Sequence, residues 1–193
     1  MKFNLIFLLI LLLLTCDKTP SDILNEEFII YSAFLNSFSE EEGFKSESIN
    51  IAILDSAFIR SDFSLNDTRI AKLKEDWDIE LPKDLIEDFL KKNSSAFLVQ
   101  DRFETDLKYQ LLATDNFFKT INASFGWLDF REKYPEITSV VSFSRIGINN
   151  QKDKALIFVS INCGPLCGST WYIFLEKANN KWDLTKEHQL TVS

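Results

Sequence analysis

The chain has 193 residues, of which 46% are apolar and 26% charged, with only 5 Gly and 4 Pro. These proportions exclude a disordered chain, a collagen-like repeat and a small disulfide scaffold, and they fit one globular domain with a short tail. Lys plus Arg is 21 against 29 Asp plus Glu, a net charge of −8, so nucleic acid is not an expected partner: neutralising phosphates needs clustered cations.

Behind Lys2, residues 5–14 form an unbroken apolar run. A spanning helix needs ~20 apolar residues, so this run is too short to cross a bilayer and reads as the core of a secretory signal peptide. It ends in Leu13-Leu14-Thr15-Cys16, which resembles the lipobox of bacterial lipoproteins. Thr15 stands where Gly, Ala or Ser is commoner. The resemblance implies cleavage of a signal peptide over 1–15, a thioether-linked diacylglycerol on Cys16 and usually a further N-acyl chain. Two or three acyl chains give stable anchoring. It also implies an extracytoplasmic protein held at the cell membrane or the outer membrane. Asp17, which favours inner-membrane retention in enterobacterial lipoproteins, does not decide between them for other phyla. Residues 16–21 are then a tether. Its five polar residues after the Cys reach at most ~18 Å, which keeps the body close to the bilayer. Removing residues 1–15 takes away Lys2, their one charge. The more acidic mature chain is not drawn to anionic lipid.

The body, residues 22–193, is expected to be a single α+β domain, with N-terminal helices packed on a C-terminal antiparallel β-meander. Over 22–39, Leu24, Phe28, Tyr31, Leu35 and Phe38 fall on one helical stripe, with Ser21 or Asp22 as cap and Glu40 to Gly43 as a solvated loop. Residues 51–54 read as a short strand leading into Asp55. One or two helices follow over 65–81, carrying Ile70, Leu73 and Trp77. Pro82 opens a cleaner helix with Leu85, Ile86, Phe89 and Leu90 on one side. Residues 95–125 are ambiguous between strand and helix, and 127–134 read as a short helix stopped before Pro135. Four apolar segments at 140–148, 155–161, 171–175 and 182–184 then alternate with turn signals. The second is apolar on both faces, so it is expected to be central and covered on both sides.

Besides Cys16 there are two cysteines, Cys163 and Cys167, flanking Gly164-Pro165-Leu166. The layout reads as a hairpin with a three-residue loop, the two Cys facing each other within reach of a disulfide. A structural disulfide is favoured over a metal pair, since zinc wants three or four ligands and His188 is the sole His. It is also favoured over a redox pair, because the spacing is CxxxC. Gly164 and Gly168, two of five glycines, suggest backbone angles that side chains would not tolerate.

Three stretches together resemble a family of uncharacterised bacterial lipoproteins and exported proteins. The run from Phe143-Ser144-Arg145-Ile146-Gly147-Ile148-Asn149 through Cys163-Gly164-Pro165-Leu166-Cys167-Gly168 to Lys181-Trp182 is similar to its C-terminal part. Residues 85–93 resemble its "DDFxxKN" helix, and Tyr31-Ser32-Ala33-Phe34-Leu35 its "YSAxL" helix. Thr170 stands where the family often has Gly. The resemblance covers most of the mature chain and speaks to fold and address.

Chemistry is thinly signalled. No HExxH, P-loop or GxGxxG motif occurs, and no metal or cofactor is expected. His188, near the C-terminus, reads as solvated. Asp84 and Asp88 read as a solvated i, i+4 pair. Asp55, directly after an apolar strand, is a turn cap or a ligand contact. Arg145, inside an apolar segment, is a paired Arg or a ligand contact. The 18 Phe are read as mainly core. Three Asn-x-Ser/Thr matches, at Asn66, Asn93 and Asn122, are of a kind frequent by chance and mean little if Cys16 is a bacterial lipobox. The expected function is therefore a lipid-anchored cell-envelope binding or structural module. Its candidate partners are the membrane, through the N-terminal lipid, and another envelope protein. The alternative is an envelope hydrolase using carboxylates as acid and base.

Overall fold

The computed structural model describes residues 25–40, 50–59 and 61–192. The expected signal peptide over 1–15, the acylated Cys16, the tether 16–21, the caps Ser21 and Asp22 and the loop residues 41–43 lie outside the described residues. The first helix, α1 (Asn25–Glu40), buries the expected stripe of Phe28, Tyr31, Leu35 and Phe38. It is followed by β1 (Asn50–Leu54), β2 (Ser56–Ala57), α2 (Asp67–Trp77), α3 (Lys83–Lys92), β3 (Phe97–Leu98) and β4 (Lys108–Leu112). Then come α4 (Thr114–Ile121), α5 (Trp127–Lys133), β5 (Ile137–Phe143), β6 (Gly147–Ile148), β7 (Lys154–Gly164), β8 (Cys167–Ala178) and β9 (Lys181–Val192).

The architecture is α+β. The main sheet runs β4-β1-β5-β7-β8-β9, with β6 beside β7. The pairs from β5 to β9 are antiparallel, the expected meander. Beyond it β1 lies parallel to both β4 and β5, which makes the sheet mixed. Burial follows the two-residue period of the strands. Ile51 and Ile53 of β1, Val141 and Phe143 of β5, Ile157 and Val159 of β7, and Ile173 and Leu175 of β8 pack with α1. The alternate residues serve two clusters on the opposite face. Leu156, Phe158, Tyr172 and Phe174 pack with α2 and α3, while Ala52, Leu54 and Val140 pack with α4 and α5. Strand β7 is therefore central and covered on both faces, as its apolar run implies.

Several elements depart from expectation for identifiable reasons. The segment 140–148 is two strands, because Ser144 interrupts the ladder. Its hydroxyl accepts from Phe158 N at 2.9 Å and donates to Arg145 O at 2.9 Å. The hairpin at the cysteines turns through two residues, Pro165 and Leu166, since Gly164 already pairs with Cys167 and a bulge falls at Cys163. Gly164 does not need its special freedom: a Cβ there would meet only ordinary contacts at 3.6 and 3.7 Å. Gly126 does need it, with φ +52° at the start of α5. Strand β9 runs twelve residues rather than fraying. His188 lies within it, paired opposite Tyr172, its Nδ1 2.7 Å from Asp76 Oδ2, and is not a solvated terminal side chain.

The largest departure is at α3. Asp84 and Asp88 are not a solvated pair. Asp84 Oδ2 accepts from Asn150 N at 2.7 Å and Asp88 Oδ2 from Ile148 N at 2.8 Å. Lys92 Nζ donates to Ile146 O at 3.0 Å, and the Asn93 side-chain amide both accepts from Arg145 N and donates to Arg145 O. Four helix positions at steps of four or one residue thus satisfy successive outward backbone groups of 145–150. The match is metric: four residues of helix rise about 6 Å and two residues of strand about 6.6 Å. The helix covers an edge that would otherwise invite another strand. It approaches so closely that a Cβ on Gly147 would lie 2.5 Å from Phe89 Cβ and 2.9 Å from Leu85 O.

Candidate functional site

The residues singled out by sequence lie in three separate places. Arg145 points under α1 to Glu27, which is fully buried. Its Nη2 is 2.9 Å from Glu27 Oε1 and its Nε 3.5 Å from Oε2, and its guanidinium sits 5.3 Å over the Phe97 ring. Lys92 Nζ adds a second cation 3.3 Å from Glu27 Oε1 while also holding Asp88 at 2.8 Å. A carboxylate can be buried only when paired and hydrogen-bonded, and Glu27 meets both conditions. Beside it Tyr31 donates to Ser144 O at 2.8 Å, and burial, reinforced by the Glu27 charge, pushes its hydroxyl well above the usual range. This network ties α1, α3 and the 144–146 turn together.

Asp55 is a helix-end acceptor. Its Oδ1 takes hydrogen bonds from Thr114 N at 2.9 Å and Thr114 Oγ1 at 3.0 Å, where the first turn of α4 leaves its N–H groups unpaired. Its backbone bridges Leu112 O and Val99 N. Cys163 and Cys167 form the expected disulfide, with Cα atoms 5.0 Å apart. Arg131 of α5 donates to Cys163 O at 2.7 Å, so α5 braces that hairpin.

A concave site lies elsewhere, in the gap that the two helix clusters leave on their shared sheet face. It holds a cavity of about 270 Å³. Its floor is a row of hydroxyls in register across four strands. Ser142 of β5 pairs opposite Ser160 of β7, Ser160 opposite Thr170 of β8, and Thr170 opposite Thr191 of β9. Asn162, one period further along β7, extends the floor. Its Nδ2 donates to Ser160 Oγ at 3.2 Å, and the two Thr hydroxyls are 2.8 Å apart. The walls are aromatic: Phe58 and Phe63 from the loop after β2, Phe117 and Phe118 from α4, and Trp127 from α5. Phe58 and Phe118 are 5.7 Å apart between ring centroids, Phe117 and Trp127 5.8 Å, and Phe63 stacks 5.8 Å from Phe158. Tyr172 fixes the Phe63 backbone by donating to its carbonyl at 2.8 Å. No described residue lining the cavity is charged.

The cleft offers aromatic surface over neutral donors and acceptors, and none of its described lining residues is an ordinary acid or base. Sequence reasoning assigned its Phe residues to the core and did not single out its hydroxyls. The available signal was the interruption of apolar strands by Ser142, Ser160, Asn162 and Thr170, all on one face by alternation. Comparison of the chain with protein-family models, curated proteins and solved structures gives no match.

Proposed function

We propose that this chain is a lipid-tethered binding module of the cell envelope, and that the aromatic-walled cleft is its binding site. The observation that carries the reading is the cleft itself. Small-molecule sites are concave, mostly apolar and equipped with a few placed polar groups, and this cavity has that make-up. The hydrolase alternative draws less support. Its carboxylates would have to converge on a cavity, whereas Glu27 is enclosed with Arg145 and Lys92, and Asp55 is taken up by Thr114.

Orientation supports the tether. Helix α1 begins beside the β8–β9 turn, where Glu26 accepts from Lys177 at 2.6 Å and from Trp182 at 2.7 Å. The disulfide hairpin closes the opposite end of β7, about 33 Å away at ~3.3 Å per residue. Asn162 and Thr170 of the cleft lie toward that far end, so the proposed N-terminal anchor joins the body at the end of the sheet remote from the cleft. The disulfide agrees with an oxidising compartment.

Hydroxyl-radical footprinting tests the binding reading on the full-length protein. Trp127 and Phe118 are expected to be protected in native membranes relative to purified protein, while Phe125, exposed outside the cleft, is unchanged. Equal oxidation of the cleft rings in both preparations would contradict it.

A further inference from the structure

We infer that the ligand of this cleft is an uncharged saccharide of one or two rings, an inference that rests on the cleft being a binding site. A pyranose has an apolar C–H face and a rim of hydroxyls that each donate and accept. The cleft has the complementary halves. Phe118 and Trp127 offer aromatic surface, and Ser142, Ser160 and Asn162 offer groups that can donate and accept, while the Thr170 hydroxyl is already paired with that of Thr191. Asn162 has spent one amide hydrogen on Ser160 and keeps a second hydrogen and its carbonyl oxygen. The hydroxyls repeat at the strand spacing of about 4.8 Å, close to the width of a pyranose ring.

Other ligand chemistries fit less well. A charged ligand would lose its hydration with no opposite charge among the described lining residues, an uncompensated cost. An acyl chain would fill the aromatic half but offer no partner to Ser142 or to the amide hydrogen and oxygen that Asn162 keeps. The volume, about 270 Å³, is at the lower edge of the ~300–1,000 Å³ typical of small-molecule sites. That limits the occupant to a short unit or the end of a longer glycan.

The test uses the full-length mature protein extracted in a detergent without a sugar headgroup. Methyl β-glucoside, maltose and diacetylchitobiose are titrated, with glucuronate and adenosine as controls. Saturation-transfer NMR reads which ligand protons touch the protein. At least one neutral sugar is expected to bind at millimolar or tighter Kd through the C–H protons of one ring face. Asn162→Ala and Trp127→Ala should each weaken it tenfold or more, while Lys186→Ala on β9 leaves it unchanged. Near-native melting of Asn162→Ala keeps folding out of the result. Failure of all three sugars to bind, tighter binding of glucuronate or adenosine, or indifference to both cleft substitutions would overturn the saccharide assignment. None of these outcomes alters the footprint in native membranes, which separately decides whether the cleft is occupied at all.

Discussion

Glu27 shows how one buried charge organises its surroundings. It accepts from Arg145, stands within ion-pair distance of Lys92 and faces Ile146 N at 3.4 Å. Removing one partner of a buried pair leaves the other uncompensated, so Glu27→Leu is expected to cost about 3–5 kcal/mol in urea unfolding. Adding Arg145→Met should recover part of the loss. A double variant no better than the single would show that the pair is not energetically coupled. Glu26, the neighbouring acid, behaves differently. Burial pushes its carboxyl up, but hydrogen bonds from Lys177 and Trp182 outweigh burial and hold it below its ordinary value of 4.5. A depressed folded-state pKa stabilises the fold above the unfolded value and loses that contribution as pH falls through the folded one. The stability gap between wild type and Glu26→Gln should therefore be steady from pH 7 down to about 5.5 and narrow below 4.5. A gap unchanged down to pH 3 would contradict this account.

Helix α3 and the cysteine hairpin carry the predictions at the scale of elements. Asp88→Ala strips the acceptor from Ile148 N and an ion pair from Lys92, a loss of about 1–3 kcal/mol. Amide exchange at Ile148 should quicken with it, and unchanged exchange would show that water replaces the carboxylate without cost. Gly147→Ala should be more severe, since the backbone of α3 must move away. The disulfide is a lesser brace: closing five residues is worth about 2 kcal/mol, and Cys163→Ser with Cys167→Ser should lower the melting temperature only modestly. Collapse of the fold in that double variant would reverse the ranking. Much of this scale was legible in the sequence. The stripe of α1, the Pro82 start of α3, the doubly apolar β7 and the cysteine hairpin all follow from local periodicity or spacing. The α3 clasp was not legible, because Asp84, Asp88 and Lys92 look like any solvated face until the strand they match is known. The parallel placement of β1 and β4 escaped for a related reason: a five-residue strand does not name its neighbours. The cleft was hidden most deeply, since the loop of Phe58 and Phe63, the helix of Phe118 and the helix of Trp127 converge only through the fold.

On the scale of the whole molecule, the two poles of the sheet are built differently. One carries the start of α1 with the Glu26 contacts, and the other the disulfide hairpin, with Asn162 and Thr170 of the cleft floor near it. Anchoring through Cys16 is the proposal, and a fatty-acid analogue should label the wild type but not Cys16→Ala; equal labelling would remove the tether from the account. The central claim is that the cleft holds a ligand in the living envelope. Photo-crosslinking from a benzophenone amino acid tests it most directly, placed at Phe118 in the cleft wall and, as a control, at Lys186 on exposed β9. The account predicts an adduct from position 118 that is lost when Ser160→Trp fills the cavity, and none from position 186. Equal adducts from both positions, or none from position 118, would contradict it.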